Sequence, residues 1–352
     1  MAKAESRDLH QRLEALNARV KEASLRGAWQ KEPKEKKEEV QPWVWRWNDL
    51  LPSLLEAGEI VPIDDFMRMR TIRLVNPSQP VAVGTAKTFG TTIQHLNPGE
   101  ITESHRHTSA SLYFVIQGKG TFTTAEGEQQ FMEPGDLLIQ PSWTWHGTKN
   151  TGTEPALWLT SMDTPLNEFV EAYFREKYPE ETVQPFTKPD GYYMKRLGAL
   201  RSSGALAGAG PFPVKYRWRE TIDTLEALAA AGQGDPYDAV MLDYTNPLTG
   251  GATTETLGCR IQMLRPGEDT QSHRHTSNTI YHVVRGSGVA RIGENKGDEE
   301  NFVWGERDCF IVPSWKWHRF RNGSSAEPAI LFSVSDRPLL QAIRLYREQT
   351  SQ

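Results

Sequence analysis

The chain has 352 residues, more than one typical domain requires and enough for two domains that each bury their own core. A formal net charge of −5 gives no reason to expect nucleic acid as a partner, and no apolar run approaches the roughly 20 residues that a membrane span needs. The N-terminus has no apolar signal core and only two cysteines occur, so we expect a cytoplasmic protein without a disulfide framework.

The first predicted element is an amphipathic helix over residues 6–25, where apolar side chains recur at spacings of three and four. The charged run at 31–39 that follows is typical of a solvated linker. Trp43, Trp45 and Trp47 then alternate, which places them on one face of an extended segment. We expect this face to pack in the core or between subunits of a homo-oligomer, with ligand stacking as the alternative.

Short strand-like segments separated by Gly, Pro and Asn begin near residue 80. Their close spacing is typical of an antiparallel sandwich or barrel and predicts an all-β fold. A helix-like stretch at 167–178 ends this half of the chain. The predicted strands are 91–96, 111–116, 120–125, 136–141 and 156–161.

The strand pattern returns after a segment that is rich in Gly, Pro, Ala and Ser, and a helix is predicted at 338–348. The predicted strands of this second half are 258–264, 279–284, 288–293, 308–313 and 329–334. The predicted domains are an N-terminal helical arm with its charged linker (1–40), a first β domain that carries the main site (41–178), a connecting segment (179–235) and a second β domain (236–352).

The second half of the chain repeats the first. NPGEITESHRHTS (97–109) matches RPGEDTQSHRHTS (265–277) at an offset of 168, and PSWTWH (141–146) matches PSWKWH (313–318) at an offset of 172. The change of four predicts a small insertion in the second copy, in the loop 294–301. Duplication on this scale predicts two copies of one fold.

Six of the nine histidines lie in these repeats, as a His-x-His pair and a third His about 40 residues later. Residues i and i+2 of a strand point to the same face, so both imidazoles of the pair can reach one point inside a barrel. Neutral imidazole is a ligand for Fe, Zn, Cu or Ni. A lone His-x-His is a weak signal, and the prediction depends on the duplicated three-part spacing. The predicted metal ligands are His105, His107 and His146 in the primary site and His273, His275 and His318 in a second site.

The other three histidines are not predicted to be ligands. His10 lies in the first predicted helix and is expected to be exposed. His95 and His282 lie in predicted strands, where packing or a hydrogen bond is the preferred interpretation.

The residues around both triads resemble the two sequence motifs of cupins. The first motif is matched at Gly99, His105, His107 and Gly118, and the second at Gly135, Pro141, His146 and Asn150. The second half repeats both motifs except that Arg307 stands in place of Gly135. The resemblance implies a bicupin, two jelly-roll β-barrels with a helical N-terminal arm and short flanking helices. Many cupins have a glutamate ligand at the positions of Ser111 and Thr279, and its absence leaves about three positions of an octahedral ion for a chelating substrate and O2.

A narrower resemblance covers most of the chain. Its segments are PWVWRWNDL (42–50), GEIVPI (58–63), RTIRLVNP (70–77), TIQHL (92–96), the HRH motif, KYRWRET (215–221) and NPLTGG (246–251). They resemble the gentisate/salicylate 1,2-dioxygenase group of bicupins, which includes 1-hydroxy-2-naphthoate and 5-nitrosalicylate dioxygenases. The resemblance implies Fe(II) as cofactor, although spacing alone does not choose the metal. It also implies cleavage of a small aromatic carboxylic acid by O2, between the carbons that bear carboxylate and hydroxyl.

Three departures from the family pattern bear on the substrate. Tyr113 stands where the family usually has Arg, Thr148 where several members have a second His, and Thr160 where several have Asp. A carboxylate partner suits a ring 5-hydroxyl, and a 5-nitro or 5-halo group cannot donate to it. The departures therefore favour a 5-substituted salicylate that lacks this hydroxyl, with gentisate and 1-hydroxy-2-naphthoate as the alternatives.

Five further residues are predicted around the primary site. Arg70 matches the family segment RxxxLxNP and is expected to pair with the substrate carboxylate, with a structural ion pair as the alternative. Gln94 and Tyr113 are expected to bond the hydroxyl or a ring substituent, with strand packing as the alternative. Trp143 and Trp145 flank the third ligand and are expected to exclude water.

The resemblance favours the first half as the active one, because relatives keep iron there. Two rival functions stay open from the residues. One is another cupin reaction, such as isomerisation or oxalate decarboxylation, against which the missing glutamate counts. The other is a non-catalytic metal- or ligand-binding bicupin, against which the two complete triads count.

Overall fold

The computed structural model describes residues 2–22, 39–63, 70–78, 84–179, 183–197 and 212–351. They belong to two compact units, one up to Glu39 and one from Val40 onward. In the first unit, a helix over Ala2–Glu22 agrees with the predicted helix as far as Glu22, and Leu9 and Leu13 are exposed. The predicted linker lies outside the described residues except for Glu39. No helix in the described ranges combines the length and apolar character that crossing a bilayer requires.

Strands dominate the described residues from Val40 onward. The helices are α1 (Ala2–Glu22), α2 (Trp47–Ile60), α3 (Thr164–Phe169), α4 (Tyr192–Leu197), α5 (Trp218–Ala230) and α6 (Arg337–Ala342). The strands up to residue 216 are β1 (Trp43–Trp45), β2 (Thr71–Arg73), β3 (Gly90–Leu96), β4 (Ile101–His107), β5 (Ser111–Gln117), β6 (Thr121–Ala125), β7 (Glu128–Met132), β8 (Leu137–Gln140), β9 (His146–Asn150), β10 (Ala156–Met162), β11 (Arg175–Lys177) and β12 (Val214–Tyr216). The later strands are β13 (Val240–Asp243), β14 (Gly258–Leu264), β15 (His273–His275), β16 (Thr279–Arg285), β17 (Gly288–Gly293), β18 (Glu300–Trp304), β19 (Cys309–Val312), β20 (Trp317–Asn322), β21 (Ala329–Ser335) and β22 (Glu348–Thr350).

Each half contains one six-stranded and one five-stranded sheet. The first half has the orders β12-β8-β5-β10-β3-β2 and β11-β4-β9-β6-β7. The second half has the orders β1-β19-β16-β21-β14-β13 and β18-β17-β20-β15-β22. The ten strands predicted from short segments between turn residues are all present, with ends within one residue of the predicted ones. The all-β prediction of two jelly-roll barrels with a helical N-terminal arm and short flanking helices is confirmed.

The predicted insertion lies in a hairpin of the second barrel. Strands β6 and β7 are joined by the two residues 126–127, whereas β17 and β18 are joined by the six residues 294–299. The extra four residues therefore extend a surface turn between the flanking strands.

The two barrels exchange their edge strands. Strand β1 precedes the first barrel in the chain but pairs with β19 of the second, with Val44 opposite Phe310. Strand β12 lies in the segment predicted as a connection but pairs with β8 of the first barrel, with Lys215 opposite Leu138. The predicted domain boundaries stay a prediction, and both exchanged strands cross them.

The exchanged strands and the helices after them are a further repeat, PWVWRW (42–47) and PVKYRW (213–218). Asp308 of the second barrel accepts a hydrogen bond from the Trp47 backbone N–H at 2.8 Å, where α2 begins. Asp136 of the first barrel does the same for Trp218, also at 2.8 Å, where α5 begins. Each barrel therefore caps a helix that follows a strand of the other half in its own sheet.

The exchange also explains the break in the second cupin motif. A Cβ on Gly135 would lie 2.4 Å from the Trp218 ring, so this position accepts no side chain. At the equivalent position, the Arg307 guanidinium lies 5.6 Å from the centroid of Trp47, within the range of a cation–π contact. Both residues have a positive φ, 89° and 67°, so the backbone turn is the same and only the space differs.

The tryptophan alternation has a different outcome from the predicted one. Only Trp43 and Trp45 lie in a strand, because Trp47 begins α2 and is buried in the core. Trp45 is half-buried and donates its indole N–H to the Val75 carbonyl, whereas Trp43 is 44% exposed. The prediction of one shared face for all three is wrong, since the chain changes from strand to helix within the motif.

The halves share one apolar core. Phe114 of β5 stacks on Phe332 of β21 with ring centroids 4.1 Å apart, and both rings are fully buried. The same cluster contains Leu112 from the first barrel and Ile280 from the second. Apolar burial is the main favourable term in folding, so the barrels stabilise each other.

Two predicted helices are wrong in the same way. The stretch 167–178 contains only the end of the short helix α3 and then strand β11, and the stretch 338–348 contains most of α6 and the first residue of β22. Strand β11 pairs with β4 and β22 pairs with β15, so these segments satisfy their backbone groups at a sheet edge. Phe169 and Phe174, which supported the helical pattern, are both exposed.

Candidate metal centre

Two strands bring the first histidine triad together. His105 and His107 alternate on β4, and the register places His105 directly opposite His146 of β9. The imidazole centroids are 4.6 Å apart for His105 and His146, 4.8 Å for His107 and His146, and 5.5 Å for His105 and His107. One ligand atom from each ring lies within 4.8 Å of the other two, which suits a single ion.

Backbone carbonyls orient all three rings. Nδ1 of His105 donates to the Glu103 carbonyl at 2.7 Å, Nδ1 of His107 to the Ser109 carbonyl at 2.7 Å, and Nδ1 of His146 to the Thr144 carbonyl at 2.9 Å. These bonds fix the tautomer whose Nε2 carries the lone pair, as outer hydrogen bonds do for metal-binding histidines. Nε2 of His146 is buried and has no hydrogen-bond partner among the described residues.

Burial keeps the triad neutral. Desolvation is the largest cause that lowers the pKa of His107 to about 3 and of His146 to about 4, and it holds the pKa of His105 well below its usual range. The charge of Arg175 lowers all three further. Neutral imidazole is the form that binds a metal, and a buried Nε2 without a partner is satisfied when an ion is bound.

A cavity of about 350 Å³ opens beside the triad. His105 and His107 contribute to its wall, and strands β2, β3, β5 and β10 supply much of the rest. The volume lies in the range of small-molecule sites. The side chains that give it chemical character are Arg73, Gln94, Ser111, Tyr113, Thr160, Glu168 and Arg175.

Arg175 is the residue that the sequence analysis missed. It lies on β11 directly opposite His107, and residues opposite each other on an antiparallel pair share a face. It is half-buried in the cavity wall, whereas Arg73 and Glu168, the other charged side chains of the wall, are exposed. A cation is thus placed beside the histidine triad.

Arg70 lies outside the cavity wall. Its guanidinium forms a two-point ion pair with Glu100, at 2.7 and 2.9 Å, and also donates to the Val61 carbonyl and contacts His95 Nδ1 at 3.3 Å. The pairing with Arg70 helps to lower the pKa of Glu100. This geometry is that of a structural ion pair, the alternative role given for Arg70 in the sequence analysis. No donor of Arg70 is directed at the triad.

Gln94 and Tyr113 both line the cavity, as their predicted roles require. Both amide atoms of Gln94 are buried without a hydrogen-bond partner among the described residues, and so is Oγ1 of Thr160. Burial raises the pKa of the Tyr113 phenol, which therefore stays protonated. The wall offers a bound ring neutral donors and acceptors. Thr148, by contrast, hydrogen-bonds with Thr102 away from the cavity.

Trp143 and Trp145 do not wall the cavity, and that expectation is wrong. Both rings lie on the outer side of β4, where the Arg106 guanidinium is 4.4 Å from one centroid and 4.5 Å from the other. Arg106 is the middle residue of the His-x-His pair, so it points to the opposite face from the two ligands. This clamp lies on the face of β4 opposite to His105 and His107.

The second triad repeats the first. Its centroids are 4.3 Å apart for His273 and His318, 4.9 Å for His275 and His318, and 5.9 Å for His273 and His275. Their ligand atoms also lie within 4.8 Å of one another. The middle residue Arg274 is clamped between Trp315 and Trp317, at 4.3 and 4.7 Å from their centroids.

The remaining histidines belong to neither triad. His10 is exposed and lies 3.4 Å from Glu14 one helical turn later. His95 is buried and packs against Gly58, and burial lowers its pKa. His282 is buried between the barrels, with its ring centroid 5.8 Å from that of Phe114.

Known proteins with similar sequences and structures support one family. The sequence model of the cupin domain matches residues 92–162 and 260–335. The chain is 37% identical to a 5-aminosalicylate 1,2-dioxygenase of Comamonas sp. over 96% of this chain and 90% of the relative. It is 33% identical to a 1-hydroxy-2-naphthoate 1,2-dioxygenase of Nocardioides sp. (strain KP7) over 96% of this chain and 87% of the relative. A salicylate 1,2-dioxygenase of Pseudoaminobacter salicylatoxidans, solved as an adduct with gentisate, matches with a TM-score of 0.84 and 28% identity over 97% of this chain and 94% of that one.

Proposed function

Because the chain belongs to the gentisate and salicylate 1,2-dioxygenase family of bicupins, we propose that its first triad binds Fe(II) and that the enzyme opens a 5-substituted salicylate with O2. Because it belongs to this family, the protein is an aromatic ring-cleaving dioxygenase. The alternative of a non-catalytic metal- or ligand-binding bicupin is therefore rejected. The observation that carries the proposal is the cavity of about 350 Å³ that joins the triad to a fixed arginine and neutral polar groups.

The donor set of the first site fits Fe(II). Three neutral imidazoles with oriented Nε2 atoms leave coordination positions open on an octahedral ion. Fe(II) bound there supplies the electron exchange between the aromatic ring and O2. His105, His107 and His146 hold the ion, and the dry surroundings of their rings keep all three in the ligand form.

Arg175 is the group that we assign to the substrate carboxylate. A guanidinium binds a carboxylate with two parallel hydrogen bonds, and Arg175 lies beside His107 in the cavity wall. An aromatic acid is then oriented with its carboxylate toward β11 and its ring in the cavity.

The neutral part of the wall favours a ring without a 5-hydroxyl. Gln94 can donate to a nitro group or accept from an amino group, and both of its amide atoms lack other partners in the described chain. Tyr113 keeps its proton, and Thr160 offers a hydroxyl. None of the three is a base that takes a proton from a ring hydroxyl at neutral pH. The first relative named above acts on 5-aminosalicylate, which agrees with this preference.

An oxygen-uptake panel tests the proposal. Protein loaded anaerobically with Fe(II) is mixed with salicylate, gentisate, 5-aminosalicylate, 5-nitrosalicylate or 1-hydroxy-2-naphthoate and then with O2. We expect ring-fission absorbance, with the highest kcat/KM for 5-aminosalicylate or 5-nitrosalicylate. A higher kcat/KM for gentisate or for 1-hydroxy-2-naphthoate would show that the alternative substrate is correct. The absence of oxygen uptake with every acid would reject the activity.

The setting of the enzyme is a further part of the proposal. Cys259 and Cys309 are both free and buried, as expected in a reducing cytoplasm. We expect self-association, for which the 44% exposed Trp43 at a sheet edge offers an apolar contact. Light scattering of purified protein at several concentrations measures the subunit number, and a monomer at all of them would contradict the expectation.

A further inference from the structure

The second triad has the geometry of a metal site but almost no space beside it. The cavity next to His275 has a volume of about 20 Å³, against about 350 Å³ in the first barrel. About 10–15 Å³ is enough for a single water, and small-molecule sites begin at about 300 Å³. An aromatic acid has no room there.

Two arginines fill the space. Thr92 lies opposite Thr160 in the first barrel, and the same register in the second barrel places Arg260 opposite Ser333. Arg260 is held there by a 2.6 Å hydrogen bond from its Nε to Asp243. The second is Arg337, which begins α6 as Thr164 begins α3. Arg260 and Arg337 line the 20 Å³ cavity. Their equivalents in the first barrel, Thr92 and Thr164, line the large one.

Carboxylates stand where the first barrel has a cation. Glu348 lies opposite His275 in the ladder, as Arg175 lies opposite His107. Asp238, with no counterpart in the described wall of the first cavity, lines the small cavity with its Oδ1 3.7 Å from Nε2 of His273. A carboxylate at this position attracts a cation and repels an anionic acid.

Two of the three rings are oriented as in the first site, whereas Nδ1 of His273 is buried with no hydrogen-bond partner among the described residues. Nδ1 of His275 donates to the Ser277 carbonyl and Nδ1 of His318 to the Lys316 carbonyl, each at 3.0 Å. Nε2 of His318 is buried and has no hydrogen-bond partner among the described residues. Donor atoms bound to a four-coordinate ion at about 2.0–2.1 Å lie roughly 3.4 Å apart, close to the separation of Asp238 and His273.

We propose that His273, His275, His318 and Asp238 bind a second divalent metal ion in a closed, four-coordinate site that stabilises the second barrel and does not bind substrate. Closed sites with four protein ligands are structural, whereas catalytic sites keep an open position. The proposal does not depend on the substrate or activity assigned to the first site.

Cobalt substitution tests this site with a spectroscopic readout. Protein stripped with a chelator is reloaded with Co(II), dialysed, and analysed for metal content and visible absorption, which is stronger for four-coordinate than for six-coordinate Co(II). We expect two equivalents in the wild type. His146→Ala should keep one equivalent with strong bands, and adding salicylate should leave those bands unchanged. One equivalent in the wild type that is lost in His146→Ala would overturn the proposal, and so would a salicylate-dependent shift in that variant.

A second set of variants tests the ligands. In the His146→Ala background, Asp238→Asn keeps the side-chain volume and should weaken Co(II) binding by about tenfold or more, the scale seen when groups around a metal are removed. His318→Ala should abolish binding and the rise in Tm that the metal gives. Asp269→Asn, a carboxylate of the same half outside the triad, should change neither. Equal Co(II) affinity for Asp238→Asn and its parent, with circular dichroism showing both folded, would remove Asp238 from the site.

Discussion

At the scale of single residues, the two triads differ more in the charge of the side chains beside them than in the arrangement of their histidines. Arg175 faces His107 in one barrel, and Glu348 faces His275 in the other. The arginine lowers the pKa of its neighbouring histidines, and the glutamate raises the pKa of His273 and His318 against the effect of burial. The residue opposite the second histidine of the pair is therefore a cation in the first barrel and a carboxylate in the second.

Arg175→Gln should reduce kcat/KM for a salicylate by about 10- to 100-fold, mainly through KM. A hydrogen bond to a charged group contributes about 1.5–3 kcal/mol, and Gln keeps only a neutral donor. Arg175→Lys should recover part of the loss, because the charge returns without the two-point geometry. Arg73→Gln is the matched control at the exposed rim of the same cavity and should have a smaller effect. Equal losses for both Gln variants would show that Arg175 has no specific role.

His282 makes stability depend on pH. Burial, with a smaller effect of Arg307, lowers its pKa to about 3. In the unfolded chain the pKa is near 6.5, so between about pH 6.5 and 3 the unfolded state binds a proton that the folded state does not. This histidine therefore removes up to about 1.4 kcal/mol of stability for each pH unit below 6.5.

His282→Phe should make the acid side of the stability curve shallower by about that slope. The measurement is urea unfolding of both proteins at pH 7, 6 and 5. His10→Phe, the same substitution at an exposed histidine, is the control. Parallel curves for wild type and His282→Phe would contradict the assigned pKa.

At the scale of elements, each barrel caps a helix after an exchanged strand. Asp308 accepts the Trp47 N–H and also an ion pair from Arg46 at 2.9 Å. Asp308→Ala should lower the free energy of unfolding by about 1–2 kcal/mol, as expected for the loss of a helix cap. Asp298→Ala, in the exposed 294–299 turn, should be near neutral. Chemical denaturation compares the variants, and equal values for the two would show that the cap is not needed.

The elements also show what the sequence could predict. Central strands were predictable because short strand-like segments and turn residues are local signals, and the two histidine clusters were predictable because duplication reveals them. The short edge strands β11 and β22 were not, since their apolar spacing is helical and only pairing with β4 and β15 makes them strands. Sequence identity aligns YFRE (173–176) with LYRE (345–348), and so Arg175 with Arg347. The strand pairings with β4 and β15 instead make Arg175 equivalent to Glu348. A shift of one residue reverses the charge that faces the site.

At the scale of the whole molecule, neither half is complete by itself. The first barrel needs β12 at its edge and the second needs β1, and both belong to segments on the far side of the sequence division. The repeat of PWVWRW as PVKYRW indicated that the arms were duplicated, but nothing local in either arm indicated which sheet it would join. The exchange is a property of the assembled chain.

A fragment of residues 40–178 should therefore aggregate or unfold without a cooperative transition, since the edge of β8 is left open. Co-expression with a fragment of residues 179–352 should give a soluble two-chain complex on size-exclusion chromatography. A second fragment that begins at residue 231 lacks β12 and α5 and is the control that should fail to rescue. Cooperative unfolding of 40–178 alone would show that the exchanged strands are dispensable.

The exchange also delays the pairing of β1 during translation. Trp43–Trp45 is synthesised early, but its partner Cys309–Val312 emerges only after more than 260 further residues. At about 5–20 residues per second, that wait is roughly 13 to 50 s. Throughout it the nascent chain carries an unpaired strand followed by Trp47, whose backbone N–H and ring meet Asp308 and Arg307 only when the last third of the protein has been made. Translation speed and holding chaperones should therefore influence the yield of this enzyme.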